Sequence, residues 1–261
     1  LLMLTTAFPP QGVIGSIRAG TFAKYLPDHG WNPVVVCREC KPVDRNYDAD
    51  FLHGYPTANV FQVPVRMDNR KVGILWKRLV RKLQLNFYLY GVFPYSYLQS
   101  AKRVIAQIMA SAEENIHVIY ATYPTPVSLR LAAWAKRRFN LPLIIDFRDI
   151  IEEVANGNKL RMMQRAESPL VRLADTIVSV SPVFTKTLAQ RFDKPIHTIL
   201  NGFDPDDFSG FGDTEPLSDK FTVTYAGSVS YGRSPEPLFR AIAKLAETNQ
   251  VDLSDVSIKF Y

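Results

Sequence analysis

The residues best placed to do chemistry are Asp146-Phe147-Arg148-Asp149, which follow the apolar run Leu143-Ile144-Ile145. A buried strand that delivers two carboxylates and a guanidinium to its end is costly unless these groups pair or bind something. Alternation along a strand puts Asp146 and Arg148 on one face, where they can sit side by side, while Asp149 caps the next segment of chain. Two readings stay open at this point: a structural ion cluster, or a group that orients a substrate and takes part in catalysis.

Other strand-to-helix loops carry similar potential. Pro9-Pro10-Gln11-Gly12-Val13-Ile14-Gly15-Ser16-Ile17-Arg18 brings two glycines and a cation to the start of a helix. Free amides there, with backbone able to approach closely, suit a phosphate. An ordinary strand-helix turn has the same residues. Ser128 lies in Thr122-Tyr123-Pro124-Thr125-Pro126-Val127-Ser128, a Pro-rich turn with hydroxyls. Ser181 stands in Ser179-Val180-Ser181-Pro182, and Asn201-Gly202-Phe203-Asp204 closes another apolar run. Asn-Gly is also a good turn in its own right. Near the C-terminus, Ala226-Gly227-Ser228-Val229-Ser230-Tyr231-Gly232-Arg233 again pairs glycine with a cation. Asp204-Pro205-Asp206-Asp207 has the look of an Asp-x-Asp metal motif, but its place in a linker after a parallel sheet argues against that, and no metal is expected.

These loops need a scaffold that collects them. Short apolar runs at 1–5, 33–37, 59–63, 116–120, 142–146, 176–180 and 196–200 alternate with helical patterns at 16–29, 72–84, 97–112, 126–139, 160–173 and 183–192. That alternation is the mark of an α/β fold with a doubly wound parallel sheet, a Rossmann-like domain over 1–205. A linker over 206–218 leads to a second, incomplete Rossmann-like domain over 219–261, with strands at 221–226 and 256–261 around a helix at 235–248. Ser16 is read as the first helix's N-cap and Gly30 as the residue past its end. The chain begins without Met at a strand and stops at a strand, so it is expected to lack residues at both ends.

Composition removes several classes. The 261 residues are 47% apolar, enough for a full-sized core. No run of roughly 18 apolar residues is present, so no bilayer-spanning helix is expected, and Leu1-Leu2-Met3-Leu4 lacks the basic region of a signal peptide. Cys37 and Cys40 form a lone Cys-x-x-Cys with no second ligand pair, so reduced thiols are favoured over a redox or zinc role. Between Arg66 and Arg103 lie nine Lys/Arg against Asp68 alone, so this stretch carries +8 of a net +6. Aromatic and aliphatic residues interleave with the charge. An amphipathic helix with a solvated basic rim explains this stretch, and so does attraction to an anionic membrane. Nucleic acid is disfavoured, since no recognition motif accompanies the charge.

Taken in order, the loops resemble those of retaining family-4 glycosyltransferases of the GT-B fold. The match runs through Phe22-Ala23-Lys24-Tyr25-Leu26-Pro27-Asp28-His29-Gly30-Trp31, the Asp146-Phe147-Arg148-Asp149 stretch and the Asn201-Gly202-Phe203-Asp204 motif with Phe208. Departures are clear. Leu129 stands where a bacterial subgroup has His, Ile150-Ile151 replaces Pro-Trp, and Ser228 and Ser234 replace the Arg and Lys of the donor-side loop. The resemblance implies transfer of a sugar from a nucleotide diphosphate, with retention, to a saccharide or lipid-linked saccharide in surface polysaccharide assembly. It implies no cofactor or metal, with the nucleotide sugar as co-substrate. Gly12, Gly15, Arg18, Gly227 and Arg233 would hold the donor phosphates. Asp146, Arg148 and Asp149 would be catalytic, and Ser128, Ser181, Asn201 and Gly202 would line the acceptor cleft. A protein so built sits in the cytoplasm, peripheral to the inner face of the membrane through 66–103. The rivals are a nucleotide-sugar epimerase of the same fold and a non-catalytic α/β module that binds a nucleotide or a partner.

Overall fold

Runs rich in Val, Ile and Leu, bounded by turn residues, form the strands of a computed structural model that describes residues 1–50, 54–65, 95–111, 115–153, 155–209, 219–227, 229 and 234–261. The strands β1 (Leu2–Leu4), β2 (Val34–Arg38), β3 (Val60–Val63), β4 (Ile119–Tyr123), β5 (Leu143–Phe147), β6 (Thr176–Ser179) and β7 (Ile196–Thr198) make one parallel sheet. Their order is β3-β2-β1-β4-β5-β6-β7, so the winding reverses between β1 and β4. In such sheets ligands bind beyond the carboxyl ends of the strands near that reversal.

Side-chain alternation sorts the core into two layers. Leu2, Leu4, Val34, Val36, Ile119, Ala121, Leu143, Ile145 and Phe147 face one way. They are covered by α2 (Tyr95–Ala110), α3 (Pro126–Phe139), α4 (Gly157–Val171) and α5 (Pro182–Ala189). Met3, Val35, Cys37 and Tyr120 face the other way and meet α1 (Ile14–Tyr25) through Ala19 and Ala23. Helix ends follow local chemistry. Asn140 in the left-handed conformation ends α3, and Gly30, at φ 77°, ends the 3-10 turn Leu26–His29 that Pro27 imposes.

Two expectations are corrected. Helix α1 starts at Ile14 rather than Ser16, because the Ser16 amide already bonds the Val13 carbonyl; Val13 is the N-cap, and the buried Ser16 hydroxyl has no partner among the described residues. Strand β4 runs over 119–123 rather than 116–120. Thr122 and Tyr123 read as loop, yet the Thr122 hydroxyl donates to Thr5 inside the sheet and Tyr123 pairs with Phe147 of β5. The helix expected over 72–84 lies outside the described residues. No helix among those described is long and apolar enough to cross a membrane.

The chain divides into two units, Leu1–Asp204 and Pro205–Tyr261. In the second, β8 (Phe221–Tyr225) and β9 (Val256–Phe260) pair in parallel around α6 (Glu236–Glu247). No side chain of α6 is buried, although Phe239 meets Phe260 edge to face at 6.0 Å.

Candidate functional site

At the carboxyl end of β5, alternation turns Asp146 and Arg148 toward α1, but they do not pair with one another. Asp146 is fully buried and takes a two-pronged bond from Arg18, Nε to Oδ2 at 2.8 Å and Nη2 to Oδ1 at 3.0 Å. Tyr120 adds a 2.5 Å hydrogen bond to Oδ2. Arg18 Nη1 then reaches the Leu200 carbonyl and Asn201 Oδ1, both at 3.2 Å. Four of the five guanidinium N–H groups are thus engaged within the protein. Burial opposes the charge on Arg18, but the hydrogen bond and charge of Asp146 outweigh it and raise its pKa. Tyr120, buried beside the carboxylate, is held protonated well above its ordinary value. This node ties α1, β4, β5 and the loop after β7 together. Next to it, Lys24 and Tyr25 bond the buried Asp204 at 2.8 and 2.6 Å, so both ends of the Asn201–Asp204 motif are pinned to α1.

Arg148 is different. Its Nε donates to the Tyr123 carbonyl at 3.2 Å, and its remaining nitrogens meet no acceptor among the described residues. The guanidinium lies against the backbone of Gly15. A Cβ there would stand 3.3 Å from Cζ and would collide with Nη1, so only glycine allows this approach. Burial pulls the pKa of Arg148 below its ordinary value, with Asp146 and Asp149 working the other way; an arginine remains a cation regardless. The first turn of α1 has no side-chain cap, and the amides of Ile14 and Gly15 find no acceptor among the described residues. A cation resting on the positive end of a helix is unfavourable alone. Together they form a positive corner suited to an anion.

The expected cap by Asp149 is corrected. Asp149 is exposed and makes no cap bond, and α4 begins instead after Asn156.

A profile of the glycosyl transferase 4-like domain matches residues 16–202, most of this first unit. The chain belongs to the glycosyl transferase 4-like family. No curated protein matched it in sequence. Among solved structures, Anabaena HepE in complex with UDP-glucose is 18% identical at a TM-score of 0.53, over 99% of this chain and 59% of HepE. HepE with UDP and glucose gives 0.52 at 17% identity, over 100% and 69%. A UDP-glucosyltransferase from Polygonum tinctorium gives 0.51 at 11%, over 100% and 71%. The fold is therefore that of GT-B glycosyltransferases, and the chain spans well under the full length of these proteins.

The remaining expected residues of this glycosyl transferase 4-like chain divide by what already holds them. The Gly12 amide is spent on the Asn46 carbonyl at 2.8 Å. Ser128 is buried and bonds Thr125, which in turn meets Thr6 at 3.0 Å, stitching together the loops after β1 and β4. Ser181 caps α5 by accepting from the Phe184 amide. Gly202 is exposed, with nothing within 4 Å of where a Cβ would stand. Leu129, at the position of the subgroup's His, is buried in the core. In the second unit Gly227, at φ 148°, holds a conformation that a side chain would strain. Arg233 lies outside the described residues. Burial pushes the Cys37 thiol up to about 12 and raises Cys40 as well, which keeps both protonated. Among the described residues no His/Cys/Asp/Glu group is arranged to hold a metal ion.

The sequence reading missed three contributors: Tyr120, Lys24 and Tyr25. Lys24 and Tyr25 stood within the family-like Phe22–Trp31 stretch, a usable signal. Tyr120 sat in a strand and had none.

Proposed function

We propose that the full-length protein is a retaining glycosyltransferase that moves a sugar from a nucleotide diphosphate to a saccharide or lipid-linked acceptor, in surface polysaccharide assembly. The observation that carries this reading is the open end of Arg148 on the uncapped start of α1. Departure of the diphosphate is the demanding step, and a fixed cation beside unpaired amides favours the charge that develops there. The Ile14 and Gly15 amides and the two Nη groups of Arg148 take a donor phosphate. Arg18 and Asp146 hold the frame of the site. Asp149, exposed beside Arg148, is the carboxylate available to orient an acceptor hydroxyl or the reacting sugar. The crystal complexes of HepE with UDP and UDP-glucose support a uridine donor as the first to try. The +8 stretch over 66–103 supports a peripheral position on an anionic, cytoplasmic membrane face.

The test is an incubation of the full-length protein with UDP-glucose and a lipid-linked saccharide, with products separated. Transferred sugar whose anomeric configuration matches the donor supports the reading. Isomerised donor instead means an epimerase, and binding of UDP without turnover means a binding module.

A further inference from the structure

The outer surface of α2 and α3, on the face of the sheet opposite α1, carries a second charged feature. A groove of about 470 Å³ runs between these helices and the end of α4, with Lys102, Arg137 and Arg138 on its rim and Leu98, Trp134 and Leu170 beneath. Neither α2 nor α3 contains an Asp or Glu, while together they hold Lys102, Arg103, Arg130, Lys136, Arg137 and Arg138. Lys136 is occupied, bonding Asp175 at 2.5 Å. Lys102, Arg137 and Arg138 have no carboxylate partner among the described residues. Lys102 instead lies 5.4 Å over the Trp134 ring, and Arg138 lies 5.6 Å from the Phe139 ring. A helix C-terminus favours cations, which accounts for some of the charge on α3 but none of Lys102 in the middle of α2.

Unpaired cations around an apolar, aromatic floor match a ligand that is anionic at one end and apolar just behind it. We propose that this groove seats the phosphate headgroup of an anionic phospholipid, with the carbons next to the phosphate resting on Leu98 and Trp134. The proposal rests on the membrane reading of 66–103 and gives it a definite site. Continuity supports it: residues 66–94 hold seven Lys/Arg against Asp68, interleaved with Trp76, Phe87, Tyr88 and Tyr90, and lead directly into α2. Free phosphate would not need the apolar floor, and a nucleic acid would need a longer charged track.

The experiment measures binding of the full-length protein to vesicles of mixed phosphatidylglycerol and phosphatidylcholine, with phosphatidylcholine alone as the blank. Arg137→Gln/Arg138→Gln, both exposed, should weaken binding about ten- to thirtyfold at moderate salt. Lys102→Gln should weaken it several-fold, and thermal melting should stay unchanged in all three substitutions. A parallel variant, Arg78→Gln/Arg81→Gln/Lys82→Gln, tests the preceding segment. Loss in the groove variants supports the site. Full binding by the groove variants with loss in the segment variant overturns the groove and leaves the membrane reading standing. No binding by the parent overturns both. Displacement of vesicles by inorganic phosphate or by duplex DNA as readily as by phosphatidylglycerol overturns the lipid assignment. UDP affinity, measured alongside, reports on the glycosyltransferase reading separately.

Discussion

Arg18 and Arg148 stand at the same end of β5, on the same face of the sheet, in opposite states. Arg18 is 7% exposed, with four N–H groups engaged and a carboxylate gripped by two of them. Among the described residues Arg148 has one nitrogen engaged, and its guanidinium lies against Gly15 in a helix start whose first amides lack acceptors. The difference separates a residue whose charge is met within the fold from one to which the proposed function gives an anion. A charge that is already matched has little left to offer a ligand; a charge desolvated without a match is held at a cost that binding can relieve.

The largest effect should fall on the matched side. Asp146→Ala leaves the Arg18 guanidinium buried without its partner, and losses of this kind run to about 3–5 kcal/mol. Denaturant unfolding should show that loss, with Arg18→Met in the same background recovering part of it. A loss under about 1 kcal/mol would mean that Arg18 escapes to solvent and the node is loose.

Arg148→Ala should invert the pattern. Removing a charged hydrogen-bond donor at the phosphate should weaken UDP binding by roughly 1.5–3 kcal/mol, about ten- to a hundredfold. Melting should change little, because only the Tyr123 carbonyl loses a bond. Arg148→Lys keeps the charge without the fork and should recover part of the affinity. Unchanged UDP binding in Arg148→Ala, with transfer at the parent rate, would dissolve the contrast between the two arginines.

How much of this was readable beforehand depends on the range of the interactions. The strands were legible because parallel strands buried on both faces are short continuous apolar runs, such as Val34-Val35-Val36 and Leu143-Ile144-Ile145. Strand β4 was displaced by three residues because Thr122 and Tyr123 look like loop until Thr5 and the neighbouring strands are known. The importance of Asp146-Phe147-Arg148-Asp149 was visible in its chemistry. Its division of labour was not, since the partner of Asp146 lies 128 residues away and alternation alone pointed to Arg148. Gly15 was picked out for letting the backbone approach a phosphate. In the structure the group that approaches it is Arg148, which no local pattern announces.

That contact gives a finer test. Gly15→Ala places a methyl where Arg148 Nη1 now lies, and the flexible guanidinium can swing away at little cost to folding. Alanine also favours helix over glycine by up to about 1 kcal/mol. Stability should therefore hold or rise slightly while UDP affinity falls several-fold. Equal loss of both would show that Gly15 serves packing alone.

The smallest effect separates two neighbours that the sequence treated as a unit. Asn201 Oδ1 accepts one of the Nη1 bonds of Arg18, and Asn201→Ala removes that acceptor while the Leu200 carbonyl remains. The expected loss is about 1 kcal/mol, because the donor is charged but keeps its second partner. Gly202→Ala adds a methyl into open space at a residue without positive φ, and should be neutral to slightly stabilising as the unfolded chain loses freedom. If Gly202→Ala instead lowers transfer in the full-length protein without touching stability, the space beside Gly202 belongs to a substrate. The matched node would then border the acceptor path directly, and the line drawn between Arg18 and Arg148 would have to move to include the Asn201–Asp204 loop on the open side.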